Sequence, residues 1–483
     1  MKINSVKINF ILNTSRLFLG AFFILLTTPY ITRLLGVENL GKVDYVNSII
    51  TYFILFSGLG IPKYGIREVA RVRDNEEERT KVVIELGIIL IITTFLSYTV
   101  LFGFLNYFKN FKELKQLILI MSIWILFNNI GFEWFYQGIE NQVYITIRFI
   151  IMKLLALILM FIWINSQDDY IKYGIIVVLM NSGSNILNLI NIRKYLSFKN
   201  IKIRDLNIKQ HVRPIFIIFV AALSVSIYLQ LDVVMIGAVK KESVALYTVP
   251  NKLIRLALVI VTALGTVLLP RISNCIKNND KENYIKYINY SIKYILILSV
   301  PMVTGIYLLA NEIILMMAGN KFIESIFTIK LLSVIIFIVG LAYFLGFQIL
   351  YPHGKEKYYT YAVTTAAVVN FIFNYLMIPK YYQNGAAVGT IIAESIGVLI
   401  MLFYARNYLK EIEFYSIKNL KYFVAAGIMS MSVYGIKLLN FKNLETLVIS
   451  IFIGGITYTI LLFFMREEII LNCFKLTMKK IKK

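Results

Sequence analysis

Residues 83–105 read VIELGIILIITTFLSYTVLFGFL. One acid, Glu85, interrupts a run of apolar and small polar side chains. A helix rises 1.5 Å per residue and the hydrocarbon of a bilayer is about 30 Å thick, so about 20 such residues cross it. A helix on a soluble domain would keep one charged face along its length, and this run keeps none. Comparable runs lie on both sides of it, at 8–31 and 43–61 before and at 115–137, 145–165, 171–191, 213–236, 248–270, 290–311, 325–350, 358–378, 387–405, 420–439 and 445–465 after. Composition agrees, since 58% of the 483 residues are hydrophobic and the mean hydropathy is +0.72. The expected fold class is therefore all-α, a polytopic membrane protein of about fourteen transmembrane helices, with both termini on one side.

Charge gives the orientation. Charged residues are only 16%, yet the net charge is +23. A basic chain usually suggests nucleic acid, but here Lys and Arg cluster in short loops between apolar runs. Cytoplasmic loops concentrate Lys and Arg, so nucleic acid is not an expected partner and the bilayer is. Placing the N-terminus inside makes 62–82, 138–144, 192–212, 271–289, 351–357, 406–419 and the tail from Arg466 the inner segments, and these hold most of the basic residues. The first apolar run continues past Phe22 to Tyr30, longer than a signal-peptide core, and reads as a retained helix. Cys275 and Cys473 fall on the inner side, where a disulfide is not expected. His211 and His353 read as solvated loop residues. No cluster has metal-ligand spacing and no GxxxxGK[ST] loop occurs, so no cofactor is expected and ATP hydrolysis in cis is not.

The loop 192–212 divides six spans from eight. A weak repeat relates the two sides. Leu35-Gly36, Asp44-Tyr45 and Gly58-Leu59-Gly60 precede a basic loop from Lys63, and Ile236-Gly237, Leu246-Tyr247 and Ala263-Leu264-Gly265 precede one from Arg271. Six helices per copy gives both copies the same orientation, a parallel repeat. The expected organisation is an N-terminal lobe at 1–206, a C-terminal lobe at 207–412, and two further helices with a basic tail at 413–483.

Polar residues at membrane depth usually face a bundle interior or a watery cavity. Asn9, Asn13, Arg16 and Gly20 share one face of the first span, and Asn129, Glu133 and Gln137 one face of the fourth. Asn181, Ser184, Asn185 and Asn188 mark the sixth, Ser224, Tyr228 and Asp232 the seventh, and Asn370 and Asn374 the eleventh. Any single Asn reads first as interhelical glue worth about 1 kcal/mol. Arg16, Lys153 and Glu394 lie deeper, Lys153 about 12 Å into its helix. Each costs about 2.5–3.5 kcal/mol to insert at a helix centre. Guanidinium and ammonium groups suit an anionic substrate, and a guanidinium fork binds phosphate in bidentate fashion. Asp44, Asp232 and Glu394 either pair with these bases or bind a coupling cation.

Several segments resemble one family. Pro29 to Gly36 (PYITRLLG) with Gly41 to Tyr45 (GKVDY), Gly65 to Arg71 (GIREVAR) and Phe132 to Glu140 (FEWFYQGIE) occur in order. Gly354 to Lys357 (GKEK), Asn370, Asn374, Pro379, Gly385 to Ala387, Gly389-Thr390 and Ala393-Glu394 follow. These resemble the Wzx-type oligosaccharide flippases, of the superfamily that includes the MATE exporters. The resemblance implies a two-lobed MATE-like bundle with a central cavity open alternately to each side. It implies a substrate of oligosaccharide repeat units on undecaprenyl pyrophosphate, for capsule, O-antigen or exopolysaccharide assembly. It also implies a bacterial plasma (inner) membrane location, and a polymerase and glycosyltransferases of the same pathway as further partners. The candidate substrate-binding residues are then Arg16, Asn13, Lys153, Glu133, Gln137, Asn185, Asn370 and Asn374, with Arg16 on the pyrophosphate and Glu133 and Gln137 on sugar hydroxyls or on neighbouring helices. Asp44, Asp232 and Glu394 are the candidates for ion coupling. A secondary transporter is expected, not an enzyme. The competing readings are a lipid II flippase, a MATE-like drug or cation exporter, whose cavity should be acidic, and an integral-membrane polysaccharide polymerase, which should carry a large outer loop.

Overall fold

The computed structural model describes the backbone of residues 6–107, 109–198, 201–439 and 441–481; some side chains within these, including those of Asn9, Asn13, Ser224, Tyr228 and Cys473, lie outside the described set. Among the described residues the chain is helical throughout, with no strand. It divides into two compact units, Met1–Ala245 and Leu246–Lys483.

The first unit contains α1 (Val6–Gly58), α2 (Ile61–Arg71), α3 (Glu76–Tyr107), α4 (Lys109–Lys112), α5 (Lys115–Ile130), α6 (Glu133–Gly138), α7 (Gln142–Trp163), α8 (Tyr170–Ser182), α9 (Ser184–Asn191) and α10 (Lys209–Val239). The long α1 holds the first two spans, joined at Gly36, whose φ of 70° only glycine adopts without strain. It is the hub of the unit, packing on α3, α5, α7, α8 and α10. The fourth span breaks after α5, where Phe132 turns left-handed at φ 44°, and α6 resumes it. The sixth span bends by 41° between α8 and α9.

The second unit contains most of α11 (Lys241–Lys277), then α12 (Lys281–Leu308), α13 (Ala310–Met317), α14 (Ser325–Ser333), α15 (Ile335–Tyr343), α16 (Glu356–Leu409), α17 (Leu420–Leu438), α18 (Asn443–Phe464) and α19 (Glu468–Ile481). A π-helical stretch, Phe344–Leu350, extends α15. Like α1, α16 is two spans in one, with a break at Tyr382. Below α17 and α18, Lys293 bridges Glu413 at 2.8 Å and Glu468 at 2.9 Å, and Lys421 pairs with the fully buried Glu467.

Among the described residues, nine helices are long and apolar enough to cross a membrane, or ten counting the bent pair α8 and α9. Counting α1 and α16 twice, and adding α10 and α17, accounts for the fourteen spans of the sequence. The boundary expected at 206 and 207 falls inside the first unit, because α10 packs on α1 and α2.

His211 is not a solvated loop residue. It is 3% exposed, its Nε2 lies 2.7 Å from Glu85 Oε2, and its Nδ1 shares a 2.7 Å hydrogen bond with the Tyr64 hydroxyl. The loop before α10 folds under α2 and α3, so that Glu85 also accepts the Asn207 backbone N–H at 2.6 Å. His353 is half-buried, 4.1 Å from the Tyr408 ring between centroids.

A charged cluster at the break in the fourth span

Two of the quoted sequence segments meet in the first unit. Gly65 of α2 lies under Trp134 of α6, where a Cβ would come within 2.4 Å of the indole. Gly138 lies against Val69, where a Cβ would come within 2.8 Å. Each glycine is needed because the two short helices touch backbone to side chain. The contact fixes α6 and with it Glu133.

The break itself is sealed from α9. Asn188 donates Nδ2–H to the Gly131 carbonyl at 2.7 Å, and the Tyr136 hydroxyl donates to the Asn188 carbonyl at 2.9 Å. Non-helical backbone within a membrane protein persists where side chains satisfy its freed polar groups. Gly131 also lets Asn185 approach, since a Cβ there would lie 2.3 Å from the Asn185 Cβ.

Glu133, placed by this break, sits between two guanidinium groups. Its Oε1 lies 3.4 Å from Arg16 Nη1, and its Oε2 lies 3.0 Å from Arg148 Nη2. Gln137 donates to Oε1 at 3.3 Å, one turn along α6. Arg148 is 2% exposed, and its Nη1 donates to Ser184 Oγ at 2.8 Å and Asn185 Oδ1 at 3.4 Å. Arg16 and Glu133 are more open, at 21% and 39%. The three side chains sum to one net positive charge, held partly out of water. Such a group attracts an anion.

Of the residues expected at the site, Arg16, Glu133, Gln137 and Asn185 therefore come together. Asn13 lies outside the described side chains. Lys153 lies elsewhere on α7, its ammonium 4.9 Å from the Phe23 ring and 5.5 Å from Phe149. Asn370 and Asn374 belong to the second unit and are buried between the two arms of α16. Asn374 donates to Asn370 Oδ1 at 3.1 Å, and Asn370 to Thr390 Oγ1 at 3.5 Å. Asp44 and Asp232 are buried in the first unit, and Glu394 lies on the second arm of α16.

The sequence reading missed Arg148. It stands near the start of the 145–165 span, where a basic residue reads as a boundary marker. The signal that could have found it is the sixth-span stripe of Ser184 and Asn185, which needed a donor.

Fold and site together define a many-spanned membrane protein with a net-positive charged cluster among its helices. The fold is shared with the lipid II flippase MurJ in an inward closed conformation, at TM-score 0.71 and 21% identity over 95% of this chain and 100% of that one. It is also shared with an inward-facing MATE multidrug transporter, at TM-score 0.62 and 14% identity over 82% and 95%. The chain belongs to the polysaccharide biosynthesis protein family, the Wzx-type flippases of the MOP superfamily, whose family model spans residues 6–276, and the MatE model matches 218–376. A protein of Escherichia coli strain K12 named as an O-antigen transporter is 22% identical, over 79% of this chain and 92% of its own length. A Haloferax volcanii protein named as a flippase of low-salt glycan biosynthesis is 24% identical over 48% of this chain and 49% of its own.

Proposed function

We propose that this chain carries undecaprenyl-pyrophosphate-linked oligosaccharide repeat units from the cytoplasmic to the outer leaflet of a bacterial plasma membrane, with both termini in the cytoplasm. The observation that carries the reading is the convergence of Arg16 and Arg148 on one carboxylate within the spans. A polar headgroup crossing hydrocarbon needs a shielded passage, and a pyrophosphate needs cations along it. An acidic, cation-selecting site would be built the other way round. The relatives named for O-antigen transport and glycan flipping support the same substrate class. Alternating access through rocking of two bundles is the mechanism this fold favours. Asp44, Asp232 and Glu394 are its candidate sites for a coupling cation.

The test is reconstitution. Purified chain in proteoliposomes receives a fluorescent undecaprenyl-pyrophosphate oligosaccharide, and a membrane-impermeant quencher reports the leaflet it occupies. Wild type should exchange the label, and Arg16→Ala should slow it while reaching the membrane normally. Exchange by Arg16→Ala at the wild-type rate would remove the cluster from the mechanism.

A further inference from the structure

The guanidinium of Arg148 is held by one corner. Nη1 is anchored by Ser184 and Asn185, whereas Nε and Nη2 are buried and make no hydrogen bond. Those two nitrogens form the edge that grips an oxyanion with two parallel N–H bonds. Glu133 Oε2 lies 3.0 Å from Nη2, an ionic contact without hydrogen-bond geometry, and does not fill that edge. Its other oxygen is 3.4 Å from Arg16, longer than the 2.7–2.9 Å of a good charge-assisted bond. Glu133 thus offsets the charge of Arg148 without filling its Nε and Nη2 edge. It is also the most exposed of the three, and follows the left-handed Phe132 at the end of a broken helix. With α6 held in place, the partly exposed carboxylate of Glu133 can still turn away by a change of side-chain rotamer.

We infer that Glu133 is a displaceable internal anion, and that Arg148 is the phosphate ligand it guards. This rests on the reading of the substrate as a lipid-linked pyrophosphate. A phosphate oxygen pair entering the cluster takes the Nε and Nη2 edge of Arg148, and Glu133 turns toward water. When the carboxylate returns, it competes for the same two cations and loosens the substrate. The buried edge of Arg148 is therefore never left without a counter-charge nearby, and the phosphate never meets a site that binds it too tightly to leave.

The test separates binding from transport. Inorganic pyrophosphate is titrated into the full chain in lipid nanodiscs, with wild type, Glu133→Gln, Glu133→Asp and the pair Glu133→Gln, Arg148→Gln. Glu133→Gln keeps the shape and removes the competing charge, so it should bind roughly 10- to 100-fold more tightly than wild type. Glu133→Asp keeps the charge and should stay near wild type. Adding Arg148→Gln should abolish the gain. In the vesicle assay Glu133→Gln should be slower than wild type despite its tighter binding. Equal or weaker pyrophosphate binding by Glu133→Gln, in a preparation where wild type exchanges the labelled oligosaccharide, overturns the exchange of anions and leaves the transport reading standing. Tighter binding by Glu133→Gln, with no exchange of the labelled lipid by wild type, overturns the transport reading instead.

Discussion

Replacing His211 by Ala should open the corner of the first unit where α2, α3 and α10 meet, without touching the charged cluster. His211 spans Tyr64 of α2 and Glu85 of α3 through two hydrogen bonds of 2.7 Å each. All three side chains are buried, Glu85 to 1% exposure. Without the imidazole the Tyr64 hydroxyl loses its partner, at about 1–3 kcal/mol. Glu85 loses its closest side-chain partner and keeps only the Asn207 N–H and the Gln210 amide at 3.3 Å. Taking a hydrogen-bond partner from a buried carboxyl group costs about 1–3 kcal/mol more. Taking about 3 kcal/mol as the net local loss, opening of this corner becomes more than roughly 100-fold more frequent. Hydrogen exchange with mass spectrometry on the detergent-solubilised chain reads that directly. Peptides covering 61–71 and 207–215 should exchange correspondingly faster, with peptides from α17 and α18 unchanged. His211→Gln, which keeps one of the two bonds, should fall between. Protection of 61–71 in His211→Ala within twofold of wild type would show that the three buried groups are not coupled as described.

Other perturbations separate the remaining contacts. Lys421→Met strands the buried carboxylate of Glu467 and should lower thermal stability by about 3–5 kcal/mol, while Lys421→Arg should cost far less, both read from melting in detergent. Gly389→Ala places a Cβ within 2.6 Å of Asn374 Oδ1 and should destabilise by about 1–3 kcal/mol; adding Asn374→Ala should recover part of the loss, a coupling that a double-mutant cycle measures. Burial holds the His353 imidazole below its ordinary pKa, despite a hydrogen bond to the Ile349 carbonyl. The folded chain therefore prefers the neutral ring, so its contribution to stability is present above the unfolded value near 6.5 and is lost as pH falls through the lower folded value. Melting temperatures of wild type should drop on going from pH 7.5 to 5, and His353→Gln should flatten part of that slope.

The helices were legible because hydropathy in a membrane protein is nearly a direct record of them, and each of the fourteen apolar runs lies on helix. What joins them was less so. Gly36 and Tyr382 each bend a continuous helix where two separate spans are read, and a single left-handed residue has no hydropathy signature. The charged site was half legible. Arg16, Glu133 and Gln137 do meet, although the break at Phe132 separates Asn129, which bonds Thr94, from the face expected for the fourth span; the partner Arg148 sits in the first turn of its span, where a basic side chain has an innocent explanation. His211 shows the reverse error. A histidine in a polar loop looks solvated, yet the sequence held a warning in Glu85, the lone acid of the 83–105 run. An acid in such a run needs a partner, and the nearest basic loop supplied it.

The seventh span illustrates why relatedness and compactness give different boundaries. On the expected repeat, in which Ile236-Gly237 parallels Leu35-Gly36, α10 would open the second copy. Packing places it with the first unit, and three glycines show how. A Cβ on Gly237 would lie 2.1 Å from the Tyr45 ring, one on Gly41 2.3 Å from the Lys241 carbonyl oxygen, and one on Gly60 2.8 Å from the Phe219 backbone nitrogen. Without a hydrophobic force between helices in lipid, close backbone approach is what binds one span to another. The approaches lie at the Gly41 and Tyr45 end of the second arm of α1 and just before α2, and so hold the C-terminal end of α10, the first residue of α11 and the third turn of α10 against the first unit. A repeat read from sequence follows the order of the spans, whereas these backbone approaches decide which compact unit α10 packs into.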